Sequence, residues 1–259
     1  MAVELLTTIN TGAGTTCTSP AVTPPAQALL VWVCIPEVTG GTAPTDPSSV
    51  AGWSLTWTKI GHAFVDNVFS IKQRVLVYAA RTTVAPGSGT IVGTWAAANE
   101  RYSGCIVAID DADLSGGVAG AIVQTVTVDD NAGVDQSLTI VMADRANQLN
   151  RIFGATAHNN VDSAFPTDPS SNLATQVFNI QTNIGFASTS SLHWGAQDVD
   201  PTFTWSAPAA RNGGVGFEVK TLVSNATASA GGGTQVDRQI KLERARWQVV
   251  PNHLKGKRL

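Results

Sequence analysis

Four histidines, three cysteines and nineteen acidic residues are the groups in this chain that could support acid–base, nucleophilic or metal chemistry. Their spacing argues against most of it. Nucleophilic catalysis needs a base within reach of a Ser, Cys or Thr, and His62, His158, His193 and His253 are scattered, with no Gly-x-Ser-x-Gly and no Cys–His neighbourhood. His62 lies near Asp66, and His193 near Asp198 and Asp200, but neither group has the helical spacing of a zinc site. Two acidic loops, Asp110-Asp111-Asp113 and Asp129-Asp130-Asp135, offer oxygen ligands for calcium. They lack the alternation and terminal Glu of an EF-hand and read more simply as solvated turns. A glycosidase needs two carboxylates facing across a groove, a pairing that spacing alone does not pick out. Of the tryptophans, Trp53, Trp57, Trp95 and Trp205 fall at apolar strand parity and are expected in the core. Trp194, beside His193 in a predicted loop, is the candidate exposed aromatic for a sugar platform. The sequence therefore implies a non-enzymatic protein with no cofactor and no resident metal.

The elements that would position these groups are strands. Trp53, Leu55 and Trp57 alternate with Ser54, Thr56 and Thr58, the period of a half-buried strand. Further strands are expected over 74–83, 90–96 and 105–109, with Ala85-Pro86-Gly87-Ser88-Gly89 as a turn and Asp110-Asp111 as a stop. Ala28–Ile35 is apolar at both parities and predicts a central strand covered on both faces, ended by Pro36. Residues 122–128 and 137–142 read as a hairpin-like pair joined by 129–135, and 175–182 pairs with 184–187 across Asn183. Arg151–Ala157 is a short strand, Asn159–Ser171 a turn-rich loop, and two one-face patterns follow at Phe203/Trp205 and Val215/Phe217/Val219. Eleven or twelve strands with no amphipathic helix predict an all-β antiparallel sandwich over residues 1–223.

Charged residues are only 14% of the chain, against about 25% in an average globular protein. The cysteines Cys17, Cys34 and Cys105 are odd in number, have no CxxC spacing, and are expected as free buried thiols. The N-terminus lacks the basic start and apolar run of a secretion signal. No apolar stretch reaches the ~18–20 residues of a membrane span. The expectation is a chain made in the cytoplasm with no membrane partner.

The net charge of −3 hides an asymmetry: residues 236–259 hold seven Lys/Arg against two Asp/Glu, and the remaining residues nine against seventeen. A Gly/Ser/Ala/Thr-rich linker, 224–235, separates the acidic body from this basic arm. Arg238, Lys241, Arg244, Arg246, Lys255, Lys257 and Arg258 could meet phosphate or an acidic protein surface. Trp247 is the arm's one aromatic and no nucleic-acid motif is present, so nucleic acid is the weakest partner. Ile240/Leu242 and Trp247/Val249 alternate with a parity shift between them, as in a bulged strand laid on a neighbouring sheet edge. A strand packed on its own domain is the other reading.

These stretches together carry a resemblance. ALLVWVCI at 28–35, WSLTWTKIG at 53–61, RVLVYAARTTVAPGSGTIVGTW at 74–95, YSGCIVAIDDAD at 102–113 and FTWSAPAARNGGVGFEVK at 203–220 resemble the jelly-roll-like β-sandwich family of tailed-bacteriophage virion proteins. The resemblance covers the body, not the linker or arm, and brings no catalytic residue with it. It implies a virion structural subunit (decoration, minor capsid or tail-associated). Together with the charge pattern, the expectation is a subunit that docks on capsid or tail proteins and on copies of itself through strand edges and the arm. The alternative is a carbohydrate- or cell-surface-binding sandwich module.

Overall fold

The computed structural model describes residues 3–40, 42–66, 71–129, 135–147, 149–159, 175–184, 186–195 and 201–222. The linker 224–235 and the arm 236–259, with all eight arm residues named above, lie outside them, as do the loop 160–174 and His253. Among the described residues are fourteen strands and one helical turn, α1 (Gly117–Ala121). The strands are β1 (Val3–Thr11), β2 (Gly14–Thr18), β3 (Leu29–Thr39), β4 (Ser49–Gly52), β5 (Thr58–Asp66), β6 (Ile71–Arg81) and β7 (Ile91–Asn99). The second half contributes β8 (Arg101–Ile109), β9 (Ile122–Val128), β10 (Asp135–Val141), β11 (Arg151–Asn159), β12 (Thr175–Ile184), β13 (Phe186–Gly195) and β14 (Thr202–Val219). The chain is an all-β antiparallel sandwich, built in layers.

One sheet runs β1-β8-β3-β6-β5, and a second runs β10-β14-β11-β13-β12 with β9 also on β14. Strand parity explains why they pack. Leu29, Val31, Val33 and Ile35 of β3, with Val75, Val77, Cys105 and Val107, meet Phe153, Ala155, Leu192, Val215 and Phe217 in the inter-sheet core. The opposite parity of β3, Trp32 and Cys34, joins Leu76, Tyr78, Tyr102 and Ile106 under a third sheet, β2-β7-β4, which supplies Cys17, Ile91 and Trp95. A strand apolar at both parities is thus covered on both faces, as its sequence predicts. All three cysteines are free and buried.

A fourth layer comes from β14 itself. Its first part pairs with β10 (Phe203↔Ile140, Trp205↔Leu138), and its second part pairs with β9 and β11. The β10 ribbon lies over the outer face of the second sheet, burying Leu138, Ile140, Met142, Phe203 and Trp205 with Ile152. Glycines admit this layer: a Cβ on Gly154 would lie 2.9 Å from the Trp205 ring, and one on Gly216 2.6 Å from Ile140.

Several expectations are corrected by this arrangement. Residues 53–57 are not a strand: Trp53 and Ser54 have φ of 51° and 55°, and the Leu55 N–H donates to the Gly52 carbonyl at 3.0 Å. This is a turn of the type I′ kind. Non-glycine residues pay about 1–2 kcal/mol for that conformation. Packing compensates, since the Trp53 ring covers Gly89 and lies 6.3 Å from Trp57. Residues 122–128 and 137–142 do not form a hairpin; both pair with β14. The two patterns at 203–205 and 215–219 belong to one 18-residue strand. Pro36 sits inside β3 rather than ending it, paired with Tyr102 of β8. The β12–β13 pairing continues to Ile184↔Phe186, so the turn falls beyond Asn183.

Candidate functional site

The most heavily built polar region surrounds the point where the body ends. The stop signal Asp110-Asp111 leads into a turn that runs beside the segment after β14. Ala112 bridges Thr221, the Asp113 N–H donates to the Lys220 carbonyl at 2.8 Å, and the Leu222 N–H donates to the Asp111 carbonyl at 2.7 Å. Charges reinforce the turn: Lys220 meets Asp113 at 2.8 Å across the pairing, and Arg151 of β11 meets Asp111 at 2.6 Å. Lys220 and the Ser115 hydroxyl and N–H hold the Asp113 carboxyl well below the usual carboxylate range. With both carboxylates engaged by cations, a calcium ion here would have to displace Arg151 and Lys220. Among the described residues, no group of three or more His, Cys, Asp or Glu is placed to hold a metal.

Behind this turn lies Glu218, wholly buried. Its carboxylate accepts from Gln124 Nε2 at 2.5 Å, Asn150 Nδ2 at 2.6 Å and the Ala146 N–H at 3.0 Å. Asn150 Oδ1 in turn accepts from the Thr221 N–H at 3.3 Å, and Thr221 Oγ1 donates to the Leu149 carbonyl at 2.7 Å. The segment 218–222 is therefore clamped from both sides. Beside it opens a cavity of about 360 Å³ lined by Gln27, Arg81, Thr83, Asp110, Ser115 and Leu222.

A second polar row is sealed under the β10 ribbon. Thr156 and Ser191 share a hydroxyl–hydroxyl bond of 2.8 Å, and His158 Nδ1 donates to Asn212 Oδ1. His193, also wholly buried, packs edge-on against Trp205 with ring centroids 5.8 Å apart. His158 and His193 are thus strand residues inside the protein, and His62 lies in β5. Burial pushes the His158 imidazole from 6.5 down to about 3, with Asn212 opposing more weakly. The folded protein refuses a proton that the unfolded chain accepts, so this contribution to stability is complete above pH 6.5 and is lost as pH falls towards 3. The expected slope is roughly 1 kcal/mol per pH unit. Denaturant unfolding of His158→Gln, whose amide can still donate to Asn212, should show a flatter pH dependence across that window. An unchanged slope would sink the assignment.

Trp194, the expected exposed aromatic, is half-buried: it packs against the inter-sheet core, and the Arg151 guanidinium sits 4.9 Å from its ring centroid. It does not present an open platform. Trp32, Trp95 and Trp205 are core residues, whereas Trp53 and Trp57 are half-buried in their turn.

Sequence reasoning missed Glu218, taking it for the wet side of a Val/Phe/Val strand. A signal was present. Gly214 and Gly216 share its parity, and two small residues in that row mark a face closely approached by another layer.

Comparison with protein-family models, curated proteins and solved structures finds no match to this chain.

Proposed function

We propose that this chain is a non-enzymatic structural subunit of a tailed-phage virion, docking on neighbouring particle proteins through its basic C-terminal arm. The observation that carries the reading is how the body holds its last described segment: residues 218–222 are fixed by the Lys220–Asp113 ion pair, by backbone hydrogen bonds to Asp111 and Asp113, and by the buried Glu218 network. A segment so anchored suits a tether, and what it tethers has seven Lys/Arg against two Asp/Glu, next to an acidic body. The family resemblance of the body supplies the particle context. Repetition over a symmetric particle multiplies weak contacts, so a single arm needs little affinity of its own.

Truncation after Val223 tests this. Copy number in purified particles should fall at least about tenfold, and binding of the intact chain to particles lacking it should weaken steeply with added salt. Wild-type copy number without residues 224–259 would refute the role of the arm.

A further inference from the structure

The sheet edges are not protected alike. β1 carries Glu4 and a bulge between Leu5 and Thr7, and β10 carries Asp135 and a bulge before Ser137. β5 carries Lys59, Asp66 and a bulge between Lys59 and Gly61, and its Phe64 N–H is taken by Asp129 Oδ1 at 2.7 Å. β9 is closed by the Gln124 amide, which exchanges hydrogen bonds of 3.0 and 3.1 Å with the Ala143 backbone. β2 and β4 are only five and four residues long. Charge, bulges and shortness are the devices that keep an edge from pairing with another chain.

β12 lacks most of them. No Asp, Glu, Lys or Arg occurs between Asp168 and Asp198. Its bulge falls near its start, between Gln176 and Phe178, leaving Phe178–Ile184 in unbroken register with β13. Among the described residues, no strand pairs with its other side.

We infer that this edge is where a second copy of the chain docks, β12 against β12 in antiparallel register about a two-fold axis through Gln181. Such a register sets Gln181 opposite its symmetry mate, Asn179 opposite Asn183, Ile180 opposite Thr182 and Phe178 opposite Ile184. The register is a near-palindrome in sequence: asparagine falls opposite asparagine, isoleucine opposite threonine and phenylalanine opposite isoleucine, with no like charges opposed, as cross-strand pairing favours. A two-fold interface must be self-complementary in this way. The chain's own basic arm or another charged strand would find no charge to complement here. The inference names the self-contact that a particle subunit would use, and so draws its biological sense from the proposed function. The contact itself belongs to the isolated chain and is tested without particles.

Light scattering with size exclusion on the full chain should give twice the 26.9 kDa chain mass. Gln181→Lys and Gln181→Glu each place like charges across the axis and should give the single-chain mass, with thermal unfolding confirming that both variants are folded. Mixing the two should restore the doubled mass through a lysine–glutamate pair. A monomeric wild-type chain overturns the inference, as does a dimer that persists in both variants. A dimer lost only on truncation after Val223 also overturns it, by assigning the contact to the arm; particle copy number tests the proposed function separately.

Discussion

Replacing Gly104 with alanine is expected to prevent folding. Gly104 lies midway along β8, paired with Cys34 of β3 on one side and Ile9 of β1 on the other. A Cβ there would sit 2.0 Å from the Val33 carbonyl oxygen. The obstacle is backbone of the most deeply buried strand, not the tip of a side chain, so no rotamer change relieves it. Moving β3 would disturb both hydrophobic layers it separates, because Val33 faces one and Cys34 the other. The cost should exceed about 4 kcal/mol, in the range reserved for core strain. Gly104→Ala should show no cooperative thermal transition. Gly12→Ala, where an added Cβ meets nothing within 4 Å, is the matched control and should unfold near wild type. A Gly104→Ala protein melting within a few degrees of wild type would contradict the tight β3–β8 approach.

Glu218→Ala is expected to cost about 3 kcal/mol, because it leaves the buried Asn150 amide, and the less buried Gln124 and Ala146 donors, without their acceptor. Gln124 Nε2, Asn150 Nδ2 and the Ala146 N–H all converge on this carboxylate. Glu218→Gln keeps one acceptor oxygen but turns the other position into a donor facing donors, so it should fall between alanine and wild type. The specific readout is hydrogen exchange at Ala146 and Thr221. The first amide is held by Glu218 directly, and the second through Asn150. Both should lose protection in Glu218→Ala, with Ala146 losing more. If Ala146 keeps its protection, the carboxylate is not what holds that loop.

How far these features were readable beforehand differs from strand to strand. The double-sided apolarity of residues 28–35 reported its environment directly, because no solvent-facing strand tolerates it. The stop at Asp110-Asp111 also stands where expected, since two carboxylates cannot continue an apolar core strand. The Trp53-Leu55-Trp57 alternation misled because a turn followed by extended chain can present residues with the same period as a strand. Only the fit of Trp53 against Gly89, from a distant part of the sequence, decides between them. Pairing partners were the least legible. Residues 122–128 and 137–142 look like neighbours in a hairpin, yet each prefers a different stretch of one later strand. Local pattern says which face is buried, not which strand lies alongside. For the candidate site, the acidic turn was noticed but its cationic partners were not, because Arg151 and Lys220 come from 40 and 107 positions away in the sequence. The arm residues remain known from sequence alone.

The length of β14 sets how the body would bear a load. Its final stretch lies between β9 and β11, antiparallel to both, and its end leads directly to Leu222. A pull on Leu222 along the strand axis is perpendicular to the ladder hydrogen bonds. The strand can slide only if the rows on both sides shear together, with the Lys220–Asp113 ion pair, the Leu222 N–H to Asp111 carbonyl bond and the Glu218 network breaking as well. Peeling would need to rupture only one bond at a time. Residues 220–222 therefore continue a strand held in the direction in which a β-sheet yields least.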